Sequence, residues 1–337
     1  MSINTDASRR NTILVTWAAG DIGSAVTRDL LATWRYVLAT DYWTEKWNKI
    51  QDIRRAVPRR LHELMQEYPW RIEIVNCDLR SYKAYKEVCR VISSLPDSMR
   101  LDGIVSAAGI WRRYSDRLTA EHSRETDFRV NTWAPVDIAR MLISKLNPDA
   151  TVLNISSVSA KFRDTPGFWN YSDSKSNLLQ DTRALSLHRE FQEKWIRCAW
   201  LVLWYVDTHG GSMSTDYSKT MWRLLSEKYP WYRGNLTLQS TRDKILAIML
   251  NGEGTASGEY SEITHDNSFL KVIPWTVDPI DAREYWREAK NPWQVPISET
   301  PGAILSANKL FPHSHSHRYG KIDFSWFPTF HTFHIIE

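Results

Sequence analysis

The sequence predicts an α/β fold: a doubly wound parallel sheet in a single main domain, followed by an irregular C-terminal extension. Three observations point there. Apolar strand-like runs alternate with helix-like segments of ten or more residues through the first two-thirds of the chain. The central runs are mainly apolar, the pattern of strands covered on both faces. Hydrophobic residues make up 42% and charged residues 24% of the 337 residues, enough to bury a large core and too apolar for disorder.

Thr12-Ile13-Leu14-Val15-Thr16 opens the series as a short β-rich run, followed by a small-residue turn and a helix through Ala25-Val26 to Leu30-Leu31. Tyr36-Val37-Leu38-Ala39 is the second strand and ends at Asp41. A charged helix spans roughly 44–67, with Ile50, Ile53, Val57, Leu61 and Leu64 close to the 3.6-residue period. Further strands are expected at Arg71–Val75, Gly103–Ser106, Thr151–Ser157, Cys198–Trp204 and Gly258–Ile263, with a helix at 171–191. Right-handed crossovers then wind the sheet in both directions. After about residue 272 the alternation stops. Residues 1–272 therefore read as the main domain and 273–337 as the extension, which holds one expected helix, Asp281–Lys290, and a Pro-, His- and Phe-rich stretch.

Several function classes are excluded early. No apolar run of about 18 residues is present, which removes a membrane span. The opening residues lack the apolar stretch of a secretory signal, and Cys77, Cys89 and Cys198 are odd in number and scattered. Neither a disulfide framework nor a metal site is suggested, and the reducing cytoplasm is the expected compartment. A net charge of +4 is too small for this length to imply nucleic acid as a partner.

The turn after the first strand reads Thr16-Trp17-Ala18-Ala19-Gly20-Asp21-Ile22-Gly23. A dinucleotide fold needs a tight turn here, so that amides at the helix N-terminus meet a pyrophosphate. Gly20 and Gly23 fit a T-G-x-x-G-x-x-G spacing with only Trp17 out of place; against T-G-x-x-x-G-x-G, both Trp17 and Asp21 would be wrong. Asp41 ends the second strand where a carboxylate can accept hydrogen bonds from a ribose 2′-hydroxyl and repel a 2′-phosphate. NAD is therefore the expected cofactor, with NADP disfavoured. Asp78, followed by Leu79, lies after the third strand where a side chain could meet the adenine. An ordinary strand-end or loop aspartate explains each position as well.

Tyr171 and Lys175 stand at i, i+4 on one face of the expected helix. An unperturbed phenol, with a pKa of about 10, is a poor acid–base group at neutral pH, and a neighbouring ammonium favours its ionised form. Tyr42/Lys46 and Tyr82/Lys86 share the spacing, so context has to decide. Only Tyr171 follows a strand ending in Asn154-Ile155-Ser156-Ser157, with Ser157 fourteen residues upstream. A strand-end hydroxyl and a helix-start phenol could hold a carbonyl oxygen between them.

Over roughly residues 12–263 the chain resembles the short-chain dehydrogenase/reductase superfamily of Rossmann-like oxidoreductases. The resemblance rests on the Thr16–Gly23 turn, Asp78, the Ser106-Ala107-Ala108-Gly109 loop, Asn131 in Val130-Asn131-Thr132, Ser157, and Tyr171 with Lys175. It implies Tyr171 as general acid–base, Lys175 holding the nicotinamide ribose and tuning Tyr171, Ser157 orienting the reacting oxygen with Ser156 as a fallback, and Asn131 supporting a water relay to Lys175. It also implies cofactor contacts from Thr16, Ala18, Gly20, Asp21, Ile22 and Gly23 in the turn. Others would come from Asp41, Asp78, Leu79, Ala107, Ala108 and Gly109, and from Val206 and Thr208 in Val206-Asp207-Thr208. A segment at about 209–235, rich in Met, Trp and Tyr, would cap the substrate. The expected activity is hydride exchange between NAD(H) and a secondary alcohol or ketone, in a homodimer or homotetramer. The glycine spacing and length are also similar to the extended branch, so a nucleotide-sugar epimerase or dehydratase with tightly bound NAD stays open.

Tryptophan stands where the family usually has glycine at three positions: Trp17, Trp34 and Trp204. The whole chain has 17 Trp and 13 Gly, whereas average usage of about 7% would give roughly 24 glycines. Three readings follow. A gene that reads UGA as glycine, translated with UGA as tryptophan, would leave this signature. So would loss of cofactor binding, with the fold kept as a binding or regulatory protein, or divergence with compensating loop shifts. His313, His315 and His317 in the tail alternate without acidic or cysteine partners and are expected to be solvated rather than metal ligands.

Overall fold

The structure is a computed structural model that describes residues 11–42, 58–112, 114, 117–163, 168–203, 206, 208, 236–252, 260–263, 269–272 and 280–281. All of them fall within the compact unit Met1–Trp293. In chain order the strands are β1 (Thr12–Thr16), β2 (Tyr36–Asp41), β3 (Ile72–Asn76), β4 (Leu101–Ser106), β5 (Leu146–Ser157), β6 (Phe162–Arg163), β7 (Arg197–Leu203), β8 (Tyr260–Ile263), β9 (Phe269–Val272) and β10 (Ile280–Asp281). The helices are α1 (Asp21–Ala32), α2 (Arg59–Glu67), α3 (Tyr82–Ser94), α4 (Arg117–Phe128), α5 (Ala134–Met141), α6 (Trp169–Leu187), α7 (Arg189–Glu193) and α8 (Leu238–Leu246).

Eight strands form one sheet in the order β3-β2-β1-β4-β5-β7-β8-β9. Pairing is parallel as far as β8, and β9 joins it antiparallel at the edge. The order reverses between β1 and β4, the switch point at which ligands bind in open sheets of this kind.

Alternation along each central strand feeds two cores. Ile13 and Val15 of β1 pack with Val26, Leu30, Leu61 and Ile245 on one side. Leu14 between them points to the other face, with Tyr85, Ile92, Ile104 and Ile138. Each core is covered by helices, which is why the central strands read as mainly apolar. Cys77, Cys89 and Cys198 are buried and form no disulfide.

The expected helix 171–191 is interrupted. α6 stops at Leu187, His188 is extended at φ −70° and ψ 131°, and α7 restarts at Arg189. Asp281, expected to open a helix, instead pairs through β10 with β6. Of the expected helix at 44–67, residues 58–67 are described, and Leu61 and Leu64 are buried as the period requires. Among the described residues no helix is long and apolar enough to cross a membrane. Trp204, the segment 209–235 and the tail histidines lie outside the described residues.

Candidate active site

The site gathers at the carboxyl ends of β1, β4 and β5. Gly20 caps α1, its N–H donating to the Trp17 carbonyl at 3.0 Å and its own carbonyl accepting from Ser24 N–H at 2.8 Å. A side chain at Gly23 would collide with the Trp17 carbonyl, so turn and helix approach as only glycine permits. Ala18 is buried and donates its N–H to Thr40 at 3.0 Å. The buried Thr16 hydroxyl accepts from Ala108 N–H at 3.3 Å, tying the turn to the loop after β4. Asp21, in the first turn of α1, pairs with Arg60 at 2.6 Å, and Ile22 is half-buried against the core.

Asp41 is turned inward. Its Oδ2 accepts from Ala19 N–H at 2.6 Å and its Oδ1 from Tyr42 N–H at 2.7 Å. Burial raises its carboxyl above the usual range, and these two bonds oppose the shift. Asp78 accepts from Arg80 at 2.8 and 2.9 Å, and that guanidinium lies 4.4 Å over the Tyr42 ring. Burial would raise the Asp78 carboxyl, but the Arg80 bonds outweigh it and hold the group below its ordinary value. Leu79 is 8% exposed with its side chain in the core, so a ligand could meet only its backbone. Both Asp41 oxygens already accept from backbone amides, so the preference for NAD over NADP expected from that carboxylate is unsupported.

Tyr171 and Lys175 lie one turn apart in α6, near the end of β5. The Ser157 hydroxyl faces the Tyr171 phenol and acts to lower its pKa. Ser156, on the opposite face of the strand, donates instead to the Lys175 carbonyl at 3.3 Å. The fallback hydroxyl is thus committed to holding α6. The Lys175 ammonium donates to the Ile155 carbonyl at 2.8 Å. A Cβ added at Gly109 would lie 3.4 Å from the Lys175 Nζ and 3.7 Å from the Asn131 Oδ1, so three of the expected residues converge.

Burial decides the protonation of this pair. It raises the Tyr171 phenol, against a lowering influence from Ser157. It also depresses the Lys175 ammonium to about 7. Desolvation governs both groups, and the lowering influence on Tyr171 comes from Ser157 rather than from Lys175 as expected.

Asn131 sits in a π-helical turn, Arg129–Trp133, between α4 and α5. Such turns are frequent at functional sites. Its side chain is fully buried and brackets one residue: Oδ1 accepts from Ile110 N–H at 2.7 Å, and Nδ2 donates to the Ile110 carbonyl at 2.9 Å. Nδ2 also donates to the Ser174 hydroxyl at 3.0 Å. Asn131 therefore locks the loop after β4 to α6. Ala107 is half-buried and Ala108 buried in that loop.

Sequence reasoning missed the supports. Asn170, next to Tyr171, donates to Asp127 at 3.1 Å, and the Tyr114 hydroxyl donates to the same carboxylate. A buried Asn beside the expected phenol was a usable signal; Ser174, the partner of Asn131, left none. Trp111 stacks on Phe168, the cap of α6, with centroids 4.7 Å apart. Val206 pairs with Leu236 in an isolated bridge and Thr208 is half-buried.

Comparison with known proteins finds the same fold and a matching family. Residues 49–260, more than half of the chain, match the family described as enoyl-(acyl carrier protein) reductase. A 2,3-dihydro-2,3-dihydroxybenzoate dehydrogenase from Bacillus subtilis (strain 168) is 26% identical over 210 residues, covering 62% of this chain and 72% of that protein. Among solved structures, a dehydrogenase/reductase from Sinorhizobium meliloti 1021 superposes with a TM-score of 0.62 at 20% identity, over 77% of this chain and 96% of its own. A blue fluorescent protein from a metagenomic library, in complex with NADPH, gives a TM-score of 0.62 at 17% identity, over 76% and 96%. At these identities the structural likeness shows the fold. Together with the family match, it places this oxidoreductase in the short-chain dehydrogenase/reductase superfamily, whose members bind NAD(P).

Proposed function

We propose that the protein interconverts a secondary alcohol and a ketone with NAD(H) or NADP(H), using Tyr171 as its acid–base group. The observation that carries this reading is the convergence of Lys175 and Asn131 on Gly109, with the Ser157 hydroxyl facing the Tyr171 phenol at the start of the same helix. The residues fit a dinucleotide: amides at the N-terminus of α1 suit a pyrophosphate, and the Gly109–Lys175 approach suits the nicotinamide ribose. The Trp17 side chain, over Gly20, is the one misfit. The cofactor, when bound, supplies or accepts the hydride.

The chain's own residues do the rest. In reduction the Tyr171 O–H bond breaks as its proton passes to the substrate oxygen; in oxidation the phenol oxygen takes that proton back. The Ser157 hydroxyl donates a second hydrogen bond to the same oxygen and fixes its position. Lys175, depressed to about 7, gains its proton readily near neutrality, and a charged ammonium beside the phenol eases phenolate formation. Asn131 keeps the loop after β4 and α6 in register.

No preference between the two cofactors is assigned. The metagenomic blue fluorescent protein and a second neighbour, BdcA (TM-score 0.60, 19% identity), are both NADPH complexes, and the Asp41 carboxylate is engaged by backbone amides. A homodimer or homotetramer is proposed, to be checked by light scattering.

Titrating the protein with NADH and NADPH, then screening cyclic secondary alcohols of the kind oxidised by the Bacillus relative, tests the reading. Tyr171→Phe is expected to bind cofactor normally and lose about 10²–10⁴-fold in turnover. Unchanged turnover in that variant would remove Tyr171 from the mechanism.

A further inference from the structure

Among the described residues four non-glycines have positive φ, and three are tryptophans: Trp17 at 53°, Trp34 at 65° and Trp195 at 58°. The fourth is Asp149 at 64°. In this left-handed region an L-residue's Cβ crowds the following carbonyl, so glycine is the usual occupant and a bulky side chain is an outlier. Only a few per cent of non-glycine residues lie there. Eight tryptophans are described, and at that frequency fewer than one is expected.

Two of the three occupy the same structural place. After α1, Thr33 is the cap, Trp34 N–H donates to Leu31 at 3.2 Å and Arg35 N–H to Leu30 at 3.1 Å. After α7, Lys194 is the cap, Trp195 N–H donates to Gln192 at 3.0 Å and Ile196 N–H to Phe191 at 2.9 Å. Both are complete Schellman motifs, whose first residue beyond the cap is left-handed and ordinarily glycine. The chain itself uses Gly252, φ 68°, to end the helical stretch that stops at Asn251.

The indoles give no reason for tryptophan at either place. Trp34 is 81% exposed and Trp195 76% exposed, so burial repays little of the backbone strain. Arg71 lies 4.6 Å over the Trp34 ring, an exposed contact too weak to select the residue. Trp17 opens the phosphate turn, with ring atoms 3.6 Å from the point where a Cβ on Gly20 would lie. Loop shifts do not explain the pattern, because both caps keep their hydrogen bonds. Loss of cofactor binding does not explain it either, because Trp34 and Trp195 end helices rather than line the turn.

We infer that the source cell places glycine at positions 17, 34 and 195. Its ribosomes read UGA as glycine, and tryptophan is written there because these codons were translated as UGA-tryptophan. The composition agrees: Gly and Trp together number 30, about 9% of the chain, close to an ordinary glycine share plus a few tryptophans. With glycine at 17, the side chain over Gly20 disappears and the turn's amides open toward a pyrophosphate.

The test needs no turnover measurement, so it stands apart from the proposed activity. Trypsin cutting after Arg10, Arg28 and Arg35 releases peptides 11–28 and 29–35 from protein isolated from the source cells. Each is expected to be lighter than the written sequence by the difference between a tryptophan and a glycine residue. A tryptophan mass in either peptide overturns the inference. In recombinant protein of the written sequence, Trp34→Gly and Trp195→Gly are each expected to raise Tm by about 2–4 °C. Trp34→Ala and Trp195→Ala should gain less, because alanine keeps a Cβ. Equal gains for glycine and alanine would overturn the backbone reasoning.

Discussion

Lys175→Met changes stability in a way that the site's electrostatics fix in sign and pH window. Lys175 is 3% exposed, and burial takes its ammonium from an ordinary 10.5 to about 7. The unfolded chain therefore holds this proton up to about pH 10.5, while the folded chain releases it near pH 7. Between those values the folded state binds fewer protons, so the lysine's burial cost shrinks as pH rises. At about 1.4 kcal/mol per unit, the cost is about 4–5 kcal/mol at pH 7 and under about 1 kcal/mol at pH 10.5. Methionine fills a similar volume without a charge, but loses the bond to the Ile155 carbonyl, about 1 kcal/mol at every pH. Urea unfolding of both proteins from pH 6.5 to 10.5 is the assay. The variant should be the more stable at pH 7, by roughly 3–4 kcal/mol, and should lose that advantage toward pH 10.5. The difference between the two proteins is the quantity to follow, because buried thiols titrate in the same range with opposite sign. Cys77 and Cys89, pushed up to about 12, keep protons that the unfolded chain loses above its ordinary thiol pKa. A stability difference that stays constant across the range would show that Lys175 is not desolvated as described.

Three further outcomes follow from the same contacts. Asn131→Ala removes three buried hydrogen bonds and should cost about 2–4 kcal/mol in urea unfolding, with a fall in turnover as the Ile110 loop separates from α6. Ser157→Ala should lower turnover at least about tenfold, whereas Ser156→Ala should cost only about 1 kcal/mol of stability and leave turnover near normal; the reverse order would exchange their roles. The buried thiols of Cys77, Cys89 and Cys198 should resist an aromatic disulfide reagent at pH 8 until denaturant is added, and rapid labelling of the native protein would contradict their burial.

The sequence alone determined the order of the sheet's building blocks and the identity of the chemical groups. β1, β2, β4, β5 and β7 were legible because strands buried on both faces read as mainly apolar runs, a local property of the chain. Tyr171, Lys175 and the Ser156-Ser157 pair stand out in the sequence because a strand end and a helix start fix where a side chain falls, whereas Asn131 enters only through the family resemblance and lies in a π-helical turn. The break at His188 was not legible, since it exchanges one helical bond for a cap that depends on packing. The preference for Ser157 over its fallback Ser156 comes down to strand register: one residue sends Ser156 to the Lys175 carbonyl and turns Ser157 toward the phenol. Tertiary structure alone decided the protonation of Tyr171 and Lys175, because desolvation is set by everything that surrounds a group rather than by its neighbours in sequence. It also decided that the Ala19 and Tyr42 amides take up the Asp41 carboxylate. The tryptophans needed both. Composition showed that there are too many, and only the backbone torsions showed which stand at glycine positions, because φ is a property of the folded chain.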